Sequence, residues 1–392
     1  MELGRSIEKQ NDFVVKLAKH VMATVAKGSN LVFSPMSINV LLSLIAAGSS
    51  SVSKEQILSF LMSPSTDHLN AILTRIVSVA LANGSERSDL CLSTANGVWI
   101  DKSVSLKTSF KDLLENSYKA TCSQVDFATK PVKVIDEVNT WAKIHTNGLI
   151  KEILSLSPDS IETVRCSTLI LANAVYFKGA WGEKFDAELT KDNDFHLLDG
   201  TSVIVPFMNN YKEQYLRAYD GFQVLRLPYV EDQRQFSMYI YLPNDKDGLP
   251  TLLEKIASQP GFLDNHIPNH QIEVGVIRIP KFKFSFEFKA SDVLKDMGLT
   301  SPFTSGGNLT EMVDSPTIGE DLYVSSIIHK ACIEVDEEGT EAAAVSVGFA
   351  MYMCLRQNPD FIADHPFLFT VREDRSGVIL FMGQVLDPSQ HD

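Results

Sequence analysis

Between Thr340 and Ala350 the small residues Thr340, Ala342, Ala344, Ser346, Gly348 and Ala350 fall on every second position, with Glu341, Val345, Val347, Phe349 and Met351 among the residues that alternate with them. A strict period of two puts all six on one face of an extended strand, a face able to slide between crowded neighbours. The segment runs on to Asn358-Pro359 with no hairpin signal near it, which suits a long exposed loop as well as a strand. Glu341-Ala-Ala-Ala344 taken alone favours a helix. The Val345-Ser-Val-Gly348 run that follows at once opposes it. Conflict between levels of preference is expected where function strains a fold.

A chain of 392 residues would ordinarily divide into two or three domains of roughly 100–200 residues. No Pro/Gly/Ser-rich linker or charge block divides this one, so a single domain over residues 1–392 is expected. Hydrophobic content of 44% with 21% charged residues excludes disordered and fibrous classes. The net charge of −14 argues against nucleic-acid binding, which needs clustered Lys and Arg on phosphates. Five widely spread cysteines, Cys91, Cys122, Cys166, Cys332 and Cys354, suggest free thiols in a reducing compartment. The amino-terminal MELGRSIEKQ has scattered charges and no apolar run, so no secretory signal is read there. No uncharged apolar stretch approaches 18 residues, hence no membrane span. A cytoplasmic or nuclear location is expected.

Along the chain, Phe13, Val14, Leu17, Ala18, Val21, Met22 and Val25 recur at helical spacing and predict a helix over about 8–26. Ser34-Pro35 is a helix start, and the apolar residues to Ala47 predict a helix buried all round. Ser37 reads as an ordinary helix serine. Residues 91–100 read as a buried strand, a helix follows around Phe110, and 134–146 form another. Thr168–Phe177 is a continuous apolar run, typical of a strand covered on both faces. Beyond Gly200 short alternating runs predict strands at 203–208, 222–229, 236–242, 273–279, 281–288 and 377–383. In Lys281-Phe-Lys-Phe-Ser-Phe-Glu-Phe288 one face is all Phe. Helices dominate the first half and strands the second, which points to an α+β class.

Enzyme signatures are missing. There is no Gly-x-Ser-x-Gly elbow, phosphate-binding glycine loop, His-Glu-x-x-His or Cys-x-x-Cys, so neither a cofactor nor a metal is expected. His329 and His365 read as strand-end residues, not partners of a catalytic Cys354, because no oxyanion arrangement accompanies them. Asp336-Glu337-Glu338 reads as a solvated charge run. An extended segment displayed by a folded protein is, however, what a protease binds.

The residues then resemble a known family. Phe33-Ser-Pro-Met-Ser-Ile38, Asn173-Ala-Val-Tyr-Phe-Lys-Gly-Ala-Trp181, Ile279-Pro-Lys-Phe282, His329-Lys-Ala331, Glu337-Glu-Gly-Thr-Glu-Ala-Ala-Ala344 and Ala363-Asp-His-Pro-Phe367 with Gly383-Gln-Val385 are similar, in order, to motifs of the serpins, and most similar to the plant members. The resemblance implies helices packed around three mixed or antiparallel sheets, with an exposed reactive-centre loop over about 337–359. It implies an irreversible inhibitor, not an enzyme: a protease attacks the loop, and the hinge then inserts into the central sheet and traps the acyl-enzyme. A non-inhibitory decoy, carrier or chaperone is the alternative.

By the same resemblance the hinge comprises Glu337, Glu338, Gly339, Thr340, Glu341, Ala342, Ala343 and Ala344. An ion pair between Lys281 and Glu337 holds the top of the sheet, and Ser34, Ser37, Asn173 and His329 belong to the hydrogen-bonded region that must open. The family's cleaved bond follows the fourteenth residue after the hinge glycine. Counting from Gly339 gives Met353-Cys354, with Met351, Tyr352 and Leu355 setting specificity. Many plant serpins carry Leu-Arg at the bond, and here Leu355-Arg356 lies three residues later, so Arg356 is the rival position. The partner implied is a papain-like cysteine protease or a chymotrypsin- or subtilisin-like serine protease, met by a monomer. Oxidation or capping of Cys354 would block that recognition.

Overall fold

A computed structural model describes residues 2–72, 90–230, 235–337 and 358–390. Helix α1 (Glu2–Thr24) begins the chain, and α2 (Pro35–Gly48) follows the short strand β1 (Leu31–Phe33). Ser34 caps α2: its extended backbone lets the side-chain oxygen accept from Ser37 N–H, and Pro35 occupies the first helical position. Thirteen of the fourteen residues of α2 are buried, as its all-round apolarity requires. The other strands are β2 (Leu90–Asp101), β3 (Ala120–Val125), β4 (Leu169–Gly179), β5 (Lys191–His196), β6 (Ser202–Asn210), β7 (Tyr215–Tyr219), β8 (Phe222–Pro228), β9 (Phe236–Pro243), β10 (Ile277–Pro280), β11 (Phe282–Lys289), β12 (Ser326–Val335), β13 (Phe361–Ile362), β14 (Phe367–Glu373) and β15 (Ile379–Val385).

These strands build three sheets. A six-stranded antiparallel sheet runs β1-β15-β14-β9-β8-β7, a four-stranded sheet β13-β10-β6-β5, and a five-stranded mixed sheet β11-β12-β4-β2-β3. The five-stranded sheet is covered on both faces. Val175, Phe177, Ala331 and Ile333 meet Met238, Ile240, Phe369 and Leu380 of the six-stranded sheet. Ala172, Ala174 and Ile328, on the other face, meet Val134, Ile135 and Val138 of the helix Pro131–His145. That double burial is why β4 reads as unbroken apolar sequence. At Gly97 in β2 a side chain would collide with the rings of Trp99 and of Trp141 from the same helix, which pack edge-to-face. Glycine is the residue that leaves them room.

Several boundaries differ from expectation. The first helix starts at Glu2 and ends at Thr24. Of the predicted strand 273–279 only β10 forms, because Gly275 and Val276 bond instead to Pro359 O and the Asp360 carboxylate of the returning chain. The polar strand β5 escapes sequence reading, since pairing with β6 makes it a strand. Nor are the halves segregated: β2, β3 and β4 from the first half share a sheet with β11 and β12 from the second. Along β11, Phe282, Phe284 and Phe288 are buried as a row, and Phe286 packs partly against the core.

Candidate functional site: the seam between two parallel strands

β12 and β4 are parallel neighbours, in register from Ser326↔Ile170 to Ile333↔Phe177. Parallel pairing is slightly weaker per residue than antiparallel. A strand entering between them in the opposite direction would run antiparallel to both. One new strand there would replace one parallel pairing with two antiparallel ones.

The middle of this seam is a chain of hydrogen bonds in which each donor is fixed. Ser34 N–H donates to His329 Nε2 at 2.9 Å, so that nitrogen is unprotonated and Nδ1–H is left to donate to Asn173 Oδ1, also at 2.9 Å. Asn173 Nδ2 donates across the neighbouring boundary to Ala95 O (3.1 Å) and Asn96 Oδ1 (2.8 Å). Asn96 Nδ2 donates on to Tyr118 O at 3.4 Å. Ser34, Asn173 and His329 are fully buried, and burial pulls the His329 pKa down to about 3. The imidazole is therefore neutral, as its acceptor role demands. His329 lies inside β12, directly beside Asn173 of β4, not at a strand end as its sequence context suggests.

The top of the seam is ionic. Lys281, in the break between β10 and β11, places Nζ 2.6 Å from Glu337 Oε2, and Thr190 Oγ1 donates to Glu337 Oε1 at 2.7 Å. Burial works against the Glu337 charge, but these two partners more than offset it and hold its pKa below the ordinary value. Phe185 N–H donates to Glu337 O at 3.1 Å, and Trp181 Nε1–H to Asp336 O at 2.8 Å. Glu337 is only 8% exposed, so Asp336-Glu337 is not the solvated charge run that the sequence suggests. Among the described residues no group of His, Cys, Asp and Glu could hold a metal.

Glu338, Gly339, Thr340, Glu341, Ala342, Ala343 and Ala344, and likewise Met351, Tyr352, Met353, Cys354 and Leu355, lie outside the described residues. The chain is described again from Asn358 and joins the four-stranded sheet, where β13 pairs parallel with β10. The described chain thus leaves the five-stranded sheet at Val335 and rejoins the four-stranded sheet at Phe361. His365, beyond it, engages both ring nitrogens among the described residues, with Asp364 Oδ1 at 2.7 Å and Pro243 O at 2.8 Å.

Comparison with known proteins agrees with this architecture. The family described as "Serpin (serine protease inhibitor)" matches residues 8–388. The chain belongs to the serpin family. This serpin is 78% identical to Serpin-Z10 of Arabidopsis thaliana, with both chains covered in full. It is 44% identical to "Probable non-inhibitory serpin-Z5" of the same plant, over 99% of this chain and 86% of that one. Among solved structures it superposes on Arabidopsis AtSerpin1, described as in its native stressed conformation, with a TM-score of 0.91 and 56% identity over the whole of both chains. Serpins are in general protease inhibitors, and target proteases are the kind of partner such a fold meets.

Sequence reasoning missed several members of the serpin's seam. Asn96, Tyr118 and Thr190 carry no local signal, because each acts through a partner at least 22 residues away.

Proposed function

We propose that this serpin is a suicide-substrate inhibitor whose loop is cut at Met353-Cys354. The observation that carries the reading is the parallel β12–β4 boundary, whose strand β12 ends at Val335, five residues before the alternating small residues begin at Thr340. In the proposed reaction the protease's Ser or Cys nucleophile attacks the Met353 carbonyl carbon, its proton passes to the Cys354 nitrogen, which departs as the amine, and Met353 remains bound to the enzyme as an ester of Ser or a thioester of Cys. The freed segment then enters the seam antiparallel to both neighbours, small residues inward, and draws the protease with it. Insertion of some ten residues forms on the order of ten backbone hydrogen bonds at roughly 1 kcal/mol each. AtSerpin1, whose solved form is described as native and stressed, supports the idea that the uninserted form stores this energy. An unbranched Met side chain after Tyr352 suits papain-like, chymotrypsin-like or subtilisin-like proteases, acting in the cytoplasm or nucleus.

Incubation with one protease of each class, followed by denaturing electrophoresis and sequencing of the released peptide, tests the proposal. A covalent complex and a new amino terminus at Cys354 are expected. A terminus at Gln357 moves the bond to Arg356. The second reading, a non-inhibitory serpin, is favoured by the likeness to a relative named as such, and clean cleavage without any complex would establish it.

A further inference from the structure

Next to the Lys281–Glu337 pair a second ion cluster spans three strands. Glu334 on β12 lies between Lys283 Nζ of β11, at 2.8 Å, and Lys178 Nζ of β4, at 3.1 Å. Lys178 also reaches Asp336 Oδ2 at 3.3 Å. The register makes this arrangement: Lys283 stands directly opposite Glu334, and Lys178 follows Phe177, the partner of Ile333. The three strands therefore present these side chains on one face. Lys178, Glu334 and Asp336 are 24%, 19% and 23% exposed. Burial opposes the charge on Lys178, yet Glu334 and Asp336 hold its pKa above the ordinary value. Burial likewise opposes ionisation of Glu334, and the two lysines more than offset it.

Both lysines hold the same carboxylate, but across different boundaries. Lys283 joins β11 to β12, which stay neighbours when a strand enters beside β4. Lys178 joins β4 to β12, the boundary that parts. Adding a strand there moves the two backbones from about 4.8 to about 9.6 Å apart, which draws Lys178 off Glu334 and Asp336 and leaves Lys283 in place. One carboxylate thus carries a contact that opening must break and another that it spares.

We infer that Lys178 is a positioning residue that latches the β4–β12 seam through Glu334 and Asp336 and sets the rate at which a strand can enter. The inference rests on the reading that this seam accepts a strand, and it assigns to Lys178 a control on that step separate from the Lys281–Glu337 pair. The latch is ionic and partly exposed, so added salt weakens it.

The probe is a synthetic peptide of the sequence of residues 340–348, TEAAAVSVG, offered to the intact protein, with uptake followed by native electrophoresis and by the rise in melting temperature. Lys178→Met keeps the length of the side chain and removes its charge; Lys178→Gln guards against an effect peculiar to methionine; Lys283→Met removes an equal charge from the boundary that does not part. Both Lys178 variants are expected to take up the peptide about three- to fivefold faster than the wild type, the size of one partly exposed ion pair, and Lys283→Met at close to the wild-type rate. Raising salt to ~0.5 M, which shortens the screening length to about 4 Å, is expected to speed the wild type more than Lys178→Met, which keeps only the Lys281–Glu337 pair across the top of the seam. Equal acceleration by Lys178→Met and Lys283→Met, or none by either Lys178 variant, overturns the latch, as does failure of the wild type to take up peptide at any salt. No protease enters this assay: selective acceleration without any covalent protease complex keeps the latch and removes the inhibitory reading, and a complex whose seam is indifferent to Lys178 does the reverse.

Discussion

The middle and the top of the β4–β12 seam are held by opposite kinds of chemistry. In the middle, Ser34, His329, Asn173 and Asn96 form a buried, uncharged relay with one possible direction for each proton. At the top, Lys281, Glu337, Lys178, Glu334 and Asp336 form partly exposed ion pairs. A buried relay tolerates no missing member, because each group left unpaired keeps its full desolvation cost. A partly exposed ion pair contributes less and is weakened in part by salt. The difference teaches that the seam can be kept shut firmly at its centre while its upper end stays adjustable.

The largest expected effect tests the centre. Asn173→Ala leaves the His329 Nδ1–H without an acceptor and removes two further bonds, so a loss of about 3 kcal/mol in unfolding free energy is expected. Urea unfolding at low and high salt measures it. A loss that shrinks with salt would erase the contrast with the top.

Next comes acid. The His329 pKa is about 3 in the folded protein and 6.5 ordinarily, so the unfolded chain binds the proton first. Its contribution is complete above pH 6.5 and declines as pH falls towards 3. A shallower decline in His329→Gln over that window is expected from urea midpoints measured at each pH, and parallel slopes would show that other groups govern acid sensitivity.

At the top, Glu337→Gln keeps the shape and removes the charge. A loss of about 1 kcal/mol at low salt, smaller at high salt, is expected in the same assay. Because the folded Glu337 pKa is lowered, its contribution is present above the ordinary value of 4.5 and is lost as pH falls through the folded value. A loss independent of both salt and pH would place Glu337 with the neutral relay.

The smallest effect isolates the cap. Ser34→Ala deletes the oxygen that accepts from Ser37 N–H and leaves the backbone bond to His329 intact, at a cost of about 0.5–1 kcal/mol. A loss as large as that of Asn173→Ala would mean that the hydroxyl belongs to the relay.

Strongly periodic or uniformly apolar stretches were legible from sequence, because their burial is written in their own residues: α2, β4 and the Phe row of β11 are examples. Strands such as β3, β5 and β7 were not, since their pairing depends on partners elsewhere. The same division holds at the site. Ser34, Asn173, His329, Lys281 and Glu337 were reached through motifs resembling a family, whereas Asn96, Thr190 and the Lys178–Glu334–Lys283 cluster emerged only once distant strands were placed side by side.

By itself the sequence determined the α+β class, the capped and buried helix α2, and the stretch from Thr340 to Ala350 whose composition suits a strand as well as a loop. Those are local properties: side-chain size, period and backbone preference need no partner. Only the tertiary structure decided that β12 and β4 run parallel and touch, that a neutral histidine ties them at the middle, and that a lysine from one strand shares its carboxylate with a lysine from another. Each of these joins residues more than forty positions apart, and hydrogen bonds and ion pairs act through space at a few ångströms, a separation that sequence distance does not encode.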